Sequence, residues 1–282
     1  MIKKIVLKIN SYINPSWDSP RKFSKLNLLT NFSTFKPHGN QDYDLIAPLL
    51  IKNINGIIPA IAKIANFEKE VPKVSIEEFY DLNKHKNSDE IKKKLKENFN
   101  KYGSDKVVNQ YHLIYAILIK SLEDNLKVLE IGLGTNNLNI VSNMGIDGKP
   151  VASLRAFKES LINSNMYGAD VDKKILLSEE RLETFFVDQT EISTFNNIQT
   201  SKDNKFDVII DDGLHYQLSN LNSLIFSLNH LNDSGYFIIE DIGSWTIETW
   251  EIAYKLLPKN FTREIIKMTE TNYVFLIKKL KV

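Results

Sequence analysis

Two short segments carry the strongest chemical signal in the chain: Asp211-Asp212-Gly213-Leu214-His215 and Ile239-Glu240-Asp241. One helix and one strand of sequence lie between them, the length of a single crossover unit. If the strands that end in these segments are neighbours, their ends lie only about 5 Å apart. Asp212, Glu240 and Asp241 then converge at the carboxyl edge of the sheet, where ligands of open α/β sheets bind. Three acids so close repel one another unless a cation joins them. The chain has no cysteine, so an ion must use oxygen or histidine ligands. Hard carboxylate oxygens favour Mg2+, or else Mn2+ or Ca2+. His215 follows Asp212 by three residues, at the start of the next helix and within reach of the same point. A divalent ion beside an imidazole supplies both a lowered hydroxyl pKa and a proton acceptor. His38, His85, His112 and His230 are expected to be structural.

A second constellation lies upstream. Val128-Leu129-Glu130-Ile131-Gly132-Leu133-Gly134 reads as a buried strand running into a glycine turn, which lets backbone approach a ligand closely. The third glycine of a dinucleotide fingerprint is replaced by Asn137, and no helix starts at once. A pyrophosphate cradle is therefore disfavoured. A later strand ends in Asp170 and the next in Val187-Asp188-Gln189. An acid after the second strand suits the two hydroxyls of a ribose, and an acid or amide after the third suits an adenine amino group. The bland alternative is that Asp170 and Asp188 cap the segments that follow. Taken in order, the set describes an adenosine without phosphates and points to S-adenosylmethionine.

On these residues the segment from 126 onward resembles the class I S-adenosylmethionine-dependent methyltransferases, through Glu130-x-Gly132-x-Gly134, Asp170 and Asp188. That resemblance implies an α/β fold: a Rossmann-like, seven-stranded, mostly parallel sheet closed by a C-terminal antiparallel hairpin. It also implies that Glu130, Gly132, Gly134, Asp170, Asp188 and Gln189 form the cofactor side of the site. Asp-Asp-Gly-x-His followed by Glu-Asp resembles, more narrowly, the metal-dependent macrolide and sugar O-methyltransferases. In that group the matching residues, Asp212, Glu240 and Asp241, hold Mg2+, and the match to His215 is the general base. Leu214 stands where a small residue is expected. Tyr102-Gly103-Ser104-Asp105-Lys106, with Tyr111, His112 and Tyr115 behind it, resembles the stretch preceding the core in related sugar enzymes, and no site residues are assigned from it. The implied activity is O-methylation of a sugar hydroxyl in a surface polysaccharide, a nucleotide-linked sugar or a glycosylated natural product. The competing readings are a phosphate-type or phenolic acceptor, and a non-catalytic cofactor-binding subunit. Intact acids and histidine argue against the last.

The elements that must position these residues are legible from 126 on. Short β-branched runs at 127–131, 166–170, 184–187, 206–211 and 236–240 alternate with helical spacing at 152–161 and 216–231, as expected for a parallel sheet covered on both faces. A helix at 248–257 precedes strands at 261–268 and 273–279, whose short join requires an antiparallel hairpin. The loop from 134 to about 151 is long for its place, and such a loop usually covers a ligand. Residues 101–282 are thus expected to form the methyltransferase domain. Residues 1–100 form a smaller N-terminal region, a candidate lid or oligomer contact. Within it, Ser75 with Glu78 and Asn87 with Glu90 mark two helix starts.

With 282 residues, 43% hydrophobic and a net charge of +1, the chain can bury a large core and carries no overall electrostatic footprint for nucleic acid or an anionic membrane. The expected partners are a small molecule or glycan, with self-association left open. The first ten residues are too short and too charged for a signal peptide, and no run of eighteen apolar residues occurs, so a cytoplasmic location is expected.

Overall fold

The computed structural model describes residues 43–200 and 203–281. Residues 1–42 of the expected N-terminal region, His38 among them, lie outside it. The chain divides into two compact units, Met1–Ala65 and Asn66–Val282. In the first, α1 (Tyr43–Ala65) is an apolar helix with Lys63 in its last turn. No helix of the described residues is long and apolar enough to cross a membrane.

The second unit begins with β1 (Val74–Ser75), α2 (Ile76–Asn83), α3 (Ser88–Tyr102) and α4 (Tyr111–Leu118). Ser75 caps α2 by accepting the Glu78 amide at 3.1 Å. At α3 the expected cap is absent, because the Asn87 amide donates instead to the Lys120 carbonyl at 2.7 Å. The alternating region follows as β2 (Lys127–Ile131), α5 (Ala152–Ser160), β3 (Asn165–Asp170), β4 (Ser178–Glu179), β5 (Leu182–Phe186), β6 (Phe206–Asp211), α6 (Gln217–His230), β7 (Leu231–Gly243), α7 (Ile247–Leu256), β8 (Phe261–Lys267) and β9 (Asn272–Lys279).

Among the described residues, all the strands join one nine-stranded sheet in the order β1-β8-β9-β7-β6-β2-β3-β5-β4. The expected count of seven is therefore corrected to nine. The outermost two, β1 and β4, are two-residue edge strands contributed by segments with no β-branched run to announce them. The strands β5, β3, β2, β6 and β7 are parallel, and β9 inserts antiparallel between β7 and β8.

Successive side chains of a strand face opposite sides, and both sides here are dry. Val128, Val208, Ile210 and Ile238 face one core with Leu95, Phe99 and Phe157 of the helices. Leu129, Ile131, Ile209 and Ile239 face the other with Leu224, Phe226 and Trp250. Phe157 meets Phe99 and Tyr115 edge-on, with ring centroids 5.1 and 5.0 Å apart, and so locks α3, α4 and α5 together. That packing fixes the face from which α4 presents its tyrosines to the sheet edge.

Candidate active site

Register builds the site. Ile131 pairs with Ala169 on one side and Asp211 on the other, and Asp211 pairs with Ile239. One step beyond these partners, Asp170, Gly132, Asp212 and Glu240 lie in a row across four neighbouring strands. The row falls where the chain order reverses beside β2, the usual ligand crevice of such sheets. A cleft of about 510 Å³ opens there. Gly132, Gly134, Asp170, Asp188, Gln189, Asp212, His215 and Asp241 all line it; Glu130 and Glu240 lie behind its wall.

Gly132 has φ +94, and a Cβ there would meet the Asp212 carbonyl oxygen at 2.2 Å. Its missing side chain thus lets β2 and β6 approach at their ends. Gly134 serves the loop instead, because a Cβ would meet the Met144 sulfur at 2.0 Å. The Met144 amide donates to Thr135 O at 2.8 Å, and the Ser142 hydroxyl donates to Gly213 O at 3.0 Å. The long loop is tied down over the glycine turn and lines the cleft.

Asp170 accepts the Leu133 amide at 2.8 Å and the Asp172 amide at 2.7 Å. Burial pushes its carboxyl up, and those two amides oppose the shift. Each oxygen keeps a lone pair for a hydroxyl donor. Asp188 accepts from the Thr190 amide and hydroxyl. Gln189 carries a task besides the one expected. Its amide donates to Asp211 at 2.8 Å and to Ser223 at 3.0 Å, and its oxygen accepts the Leu214 amide at 2.7 Å. That side chain braces the turn carrying Asp212 and His215, and its oxygen, in the cleft lining, keeps a second lone pair for a donor such as an adenine amino group.

Two backbone irregularities aim the acids and the imidazole. The pairing of β7 with β9 slips between Ile239 and Ile242, and Asp241 takes φ +54. Regular strand geometry would send Glu240 and Asp241 to opposite faces. The bulge turns both toward the edge. His215 has φ +59, uncommon for a residue with a Cβ. Asp212, His215 and Asp241 each offer a ligand atom, all within 4.8 Å of one another. His215 Nε2 lies 3.9 Å from Asp212 Oδ1, and Tyr111 donates its hydroxyl to Asp241 at 2.6 Å.

Glu240 stands apart from that group. Its carboxylate accepts Tyr115 Oη–H on one oxygen and Lys106 Nζ–H on the other. Lys106 also donates to Asp212 Oδ2 at 2.5 Å and lies 3.5 Å from Glu130 Oε1. It is fully buried: burial alone would lower its pKa, but Asp212 and Glu240 more than offset this and hold it well above the usual value. Burial pushes Glu130 up to about 7, and Ser153 donates to its other oxygen. Glu240 is likewise pushed well above the usual carboxylate range by burial. One ammonium therefore faces Glu130, Asp212 and Glu240, and this excess of acid, with Asp241 beside Asp212, fits a hard divalent cation.

Lys106, Tyr111 and Tyr115 touch the acid cluster, although the sequence assigns them no site role. Their signal was the Gly-Ser-Asp-Lys turn followed by tyrosines four apart, which α4 places on one face. Among the described residues, the other histidines do not line the cleft. His85 bonds the Ile119 carbonyl at 2.9 Å, His230 stacks on Phe226, and burial lowers the pKa of His112.

Comparison with known structures settles the architecture. The mycinamycin-pathway methyltransferase MycE, solved with Mg, S-adenosylhomocysteine and mycinamycin VI, superposes with a TM-score of 0.52 at 21% identity, over 66% of this chain and 53% of that one. This chain has the α/β methyltransferase fold. In sequence, the chain is 26% identical over 158 residues to the 8-demethyl-8-alpha-L-rhamnosyl tetracenomycin-C 2'-O-methyltransferase of Streptomyces olivaceus, covering 55% of this chain and 39% of that enzyme. It is 30% identical over 94 residues to the demethylmacrocin O-methyltransferase of Streptomyces fradiae, covering 33% of this chain and 23% of that enzyme. The chain thus spans well under half the length of these curated relatives. No protein-family model matches it.

Proposed function

We propose that the protein is an O-methyltransferase that uses S-adenosylmethionine and a divalent cation, Mg2+ or Mn2+, to methylate a sugar hydroxyl of a small molecule or glycan. The observation that carries this reading is the convergence of Asp212, His215 and Asp241 within 4.8 Å at the mouth of a cleft whose far wall is the glycine turn and Asp170. Sequence relatives that methylate glycosylated natural products support the acceptor class.

Asp170 receives the ribose hydroxyls, held in place by the Leu133 and Asp172 amides. Asp212 and Asp241 hold the cation, with Glu240 as the third acid of the set. When bound, the cation supplies positive charge beside the acceptor oxygen and lowers the pKa of its hydroxyl. His215 takes the acceptor proton on its ring nitrogen as the methyl leaves the sulfonium sulfur and joins the acceptor oxygen. The products are the methyl ether and S-adenosylhomocysteine. Tyr111 and Asn272 fix the Asp241 carboxylate by hydrogen bonds of 2.6 and 2.8 Å, so its position costs no reorganisation during transfer.

The test is to incubate the protein with S-adenosylmethionine and a panel of nucleotide sugars and glycosides, with Mg2+ or with EDTA. The expected result is the mass gain of one methyl group on an acceptor hydroxyl, abolished by EDTA. Methyl transfer unaffected by EDTA removes the cation from the reading.

A further inference from the structure

The buried ammonium of Lys106 has no part in the chemistry above, yet it occupies the middle of the acid cluster. Its Nζ donates to Asp212 Oδ2 and to Glu240, and lies 3.5 Å from Glu130 Oε1. Glu240 spends its second oxygen on Tyr115. Glu240, turned to these two partners, lies outside the group of ligand atoms within 4.8 Å of one another formed by Asp212, His215 and Asp241. Among the described residues, no other lysine or arginine forms an ion pair with Asp212 or Glu240. Lys106 stands on the short 3-10 turn Asp105–Val107, and the residue is part of the cleft lining.

A divalent cation that recruits both Asp212 and Glu240 must approach the carboxylates that now hold the ammonium. Two cations cannot share them, because repulsion between close like charges is strong where water is excluded. We propose that Lys106 is a built-in counter-ion that competes with the catalytic cation: it neutralises Asp212 and Glu240 in the cation-free protein and withdraws into the cleft when the divalent ion binds. Release of Lys106 frees Glu240 to join Asp212 and Asp241. The inference rests on the divalent-cation reading of the site. It explains how several acids tolerate burial at one sheet edge without a metal, since each unpaired buried carboxylate would otherwise be costly. It also makes the metal affinity an exchange constant, weaker than the acid set alone would provide.

Three measurements test it. Calorimetry with Mg2+ on wild type and Lys106→Met should show the variant binding roughly tenfold more tightly, because its competitor is gone. In EDTA the same variant should melt lower than wild type, and saturating Mg2+ should raise its Tm by more than it raises that of wild type. Acetylation of the wild-type protein with an N-hydroxysuccinimide ester, read by peptide mass spectrometry, avoids mutation. Lys106 should be protected in EDTA and become labelled at saturating Mg2+, while exposed Lys84 labels equally in both. Equal or weaker Mg2+ binding by Lys106→Met, or continued protection of Lys106 in Mg2+, overturns the exchange and leaves the cation site standing. Absence of Mg2+ binding in wild type and variant alike overturns the cation reading and the exchange with it. If Lys106→Met does not fold, the labelling result decides.

Discussion

Lys106 donates from Nζ to Asp212 Oδ2 at 2.5 Å across 106 positions of sequence. The contact brings a turn that precedes the first central strand to the far end of β6, so the segment before β2 is part of the site. It also separates the acids into two kinds. Asp212 and Asp241 line the cleft, whereas Glu240 is buried and carries two partners, Lys106 and Tyr115.

Substitutions of the two kinds should therefore differ. Asp212→Asn leaves the Lys106 ammonium paired with Glu240, so the protein should melt within a few degrees of wild type while losing divalent-cation binding and turnover. Glu240→Ala leaves the buried Tyr115 phenol without its acceptor and the buried ammonium with only Asp212 and, at 3.5 Å, Glu130, so its loss should be the larger, approaching the roughly 3–5 kcal/mol typical of breaking a buried pair. Thermal unfolding in EDTA distinguishes the two variants. Equal melting temperatures would contradict the burial argument.

His215 sits at φ +59, a conformation that asparagine tolerates better than histidine. His215→Asn should fold at least as stably as wild type and retain Mg2+ affinity, yet turn over about 10² to 10⁴ more slowly through loss of the general base. Part of that rate should return at high pH, where the acceptor hydroxyl ionises unaided. A wild-type rate would end the case for the imidazole as base.

The two glycines of the turn should respond unequally to alanine. At Gly132 the new Cβ runs into the Asp212 backbone, which has nowhere to go, and the expected loss is more than about 3 kcal/mol. At Gly134 it meets the tip of the Met144 side chain, which can swing, so the loss should stay near 1–2 kcal/mol, mostly from the left-handed backbone. Chemical denaturation of both variants measures the difference.

Asp170→Asn should weaken S-adenosylhomocysteine by roughly 1–3 kcal/mol, through loss of charge-assisted hydrogen bonds and of an acceptor for the Leu133 or Asp172 amide. Unchanged affinity by calorimetry would take Asp170 out of the cofactor site.

Glu130 holds its proton up to about pH 7 in the folded chain against an ordinary value of 4.5. Between these values the native state binds more protons than the unfolded one, so this group lowers stability as pH rises from 4.5 toward 7. Glu130→Gln should remove that part of the slope in cation-free melting curves taken across the range. A slope identical to wild type would show that the carboxyl is already ionised there.

Much of the scaffold was legible because its signals are local. Runs such as Val208-Ile209-Ile210 declare a strand buried on both faces, the spacing of 217–230 declares a helix, and one crossover between Asp212 and Glu240 suffices to make their strand ends neighbours. The residue types that bear the chemistry follow from the same reading, since acids beside an imidazole in a chain without cysteine restrict the ions they suit. What tertiary structure decided was everything that depends on contacts distant in sequence or on departures from regular geometry. The edge strands β1 and β4 are strands only because β8 and β5 offer them open hydrogen-bonding edges. Gln189 became a brace because folding set Asp211, Ser223 and the Leu214 amide around it before any ligand could. Glu240 and Asp241 share an edge because a bulge cancels the two-residue alternation of β7. Lys106 was invisible as a site residue for the most physical of reasons: a lysine in a sequence is solvated by default, and only the packed chain shows that carboxylates contributed by three separate strands have replaced its water.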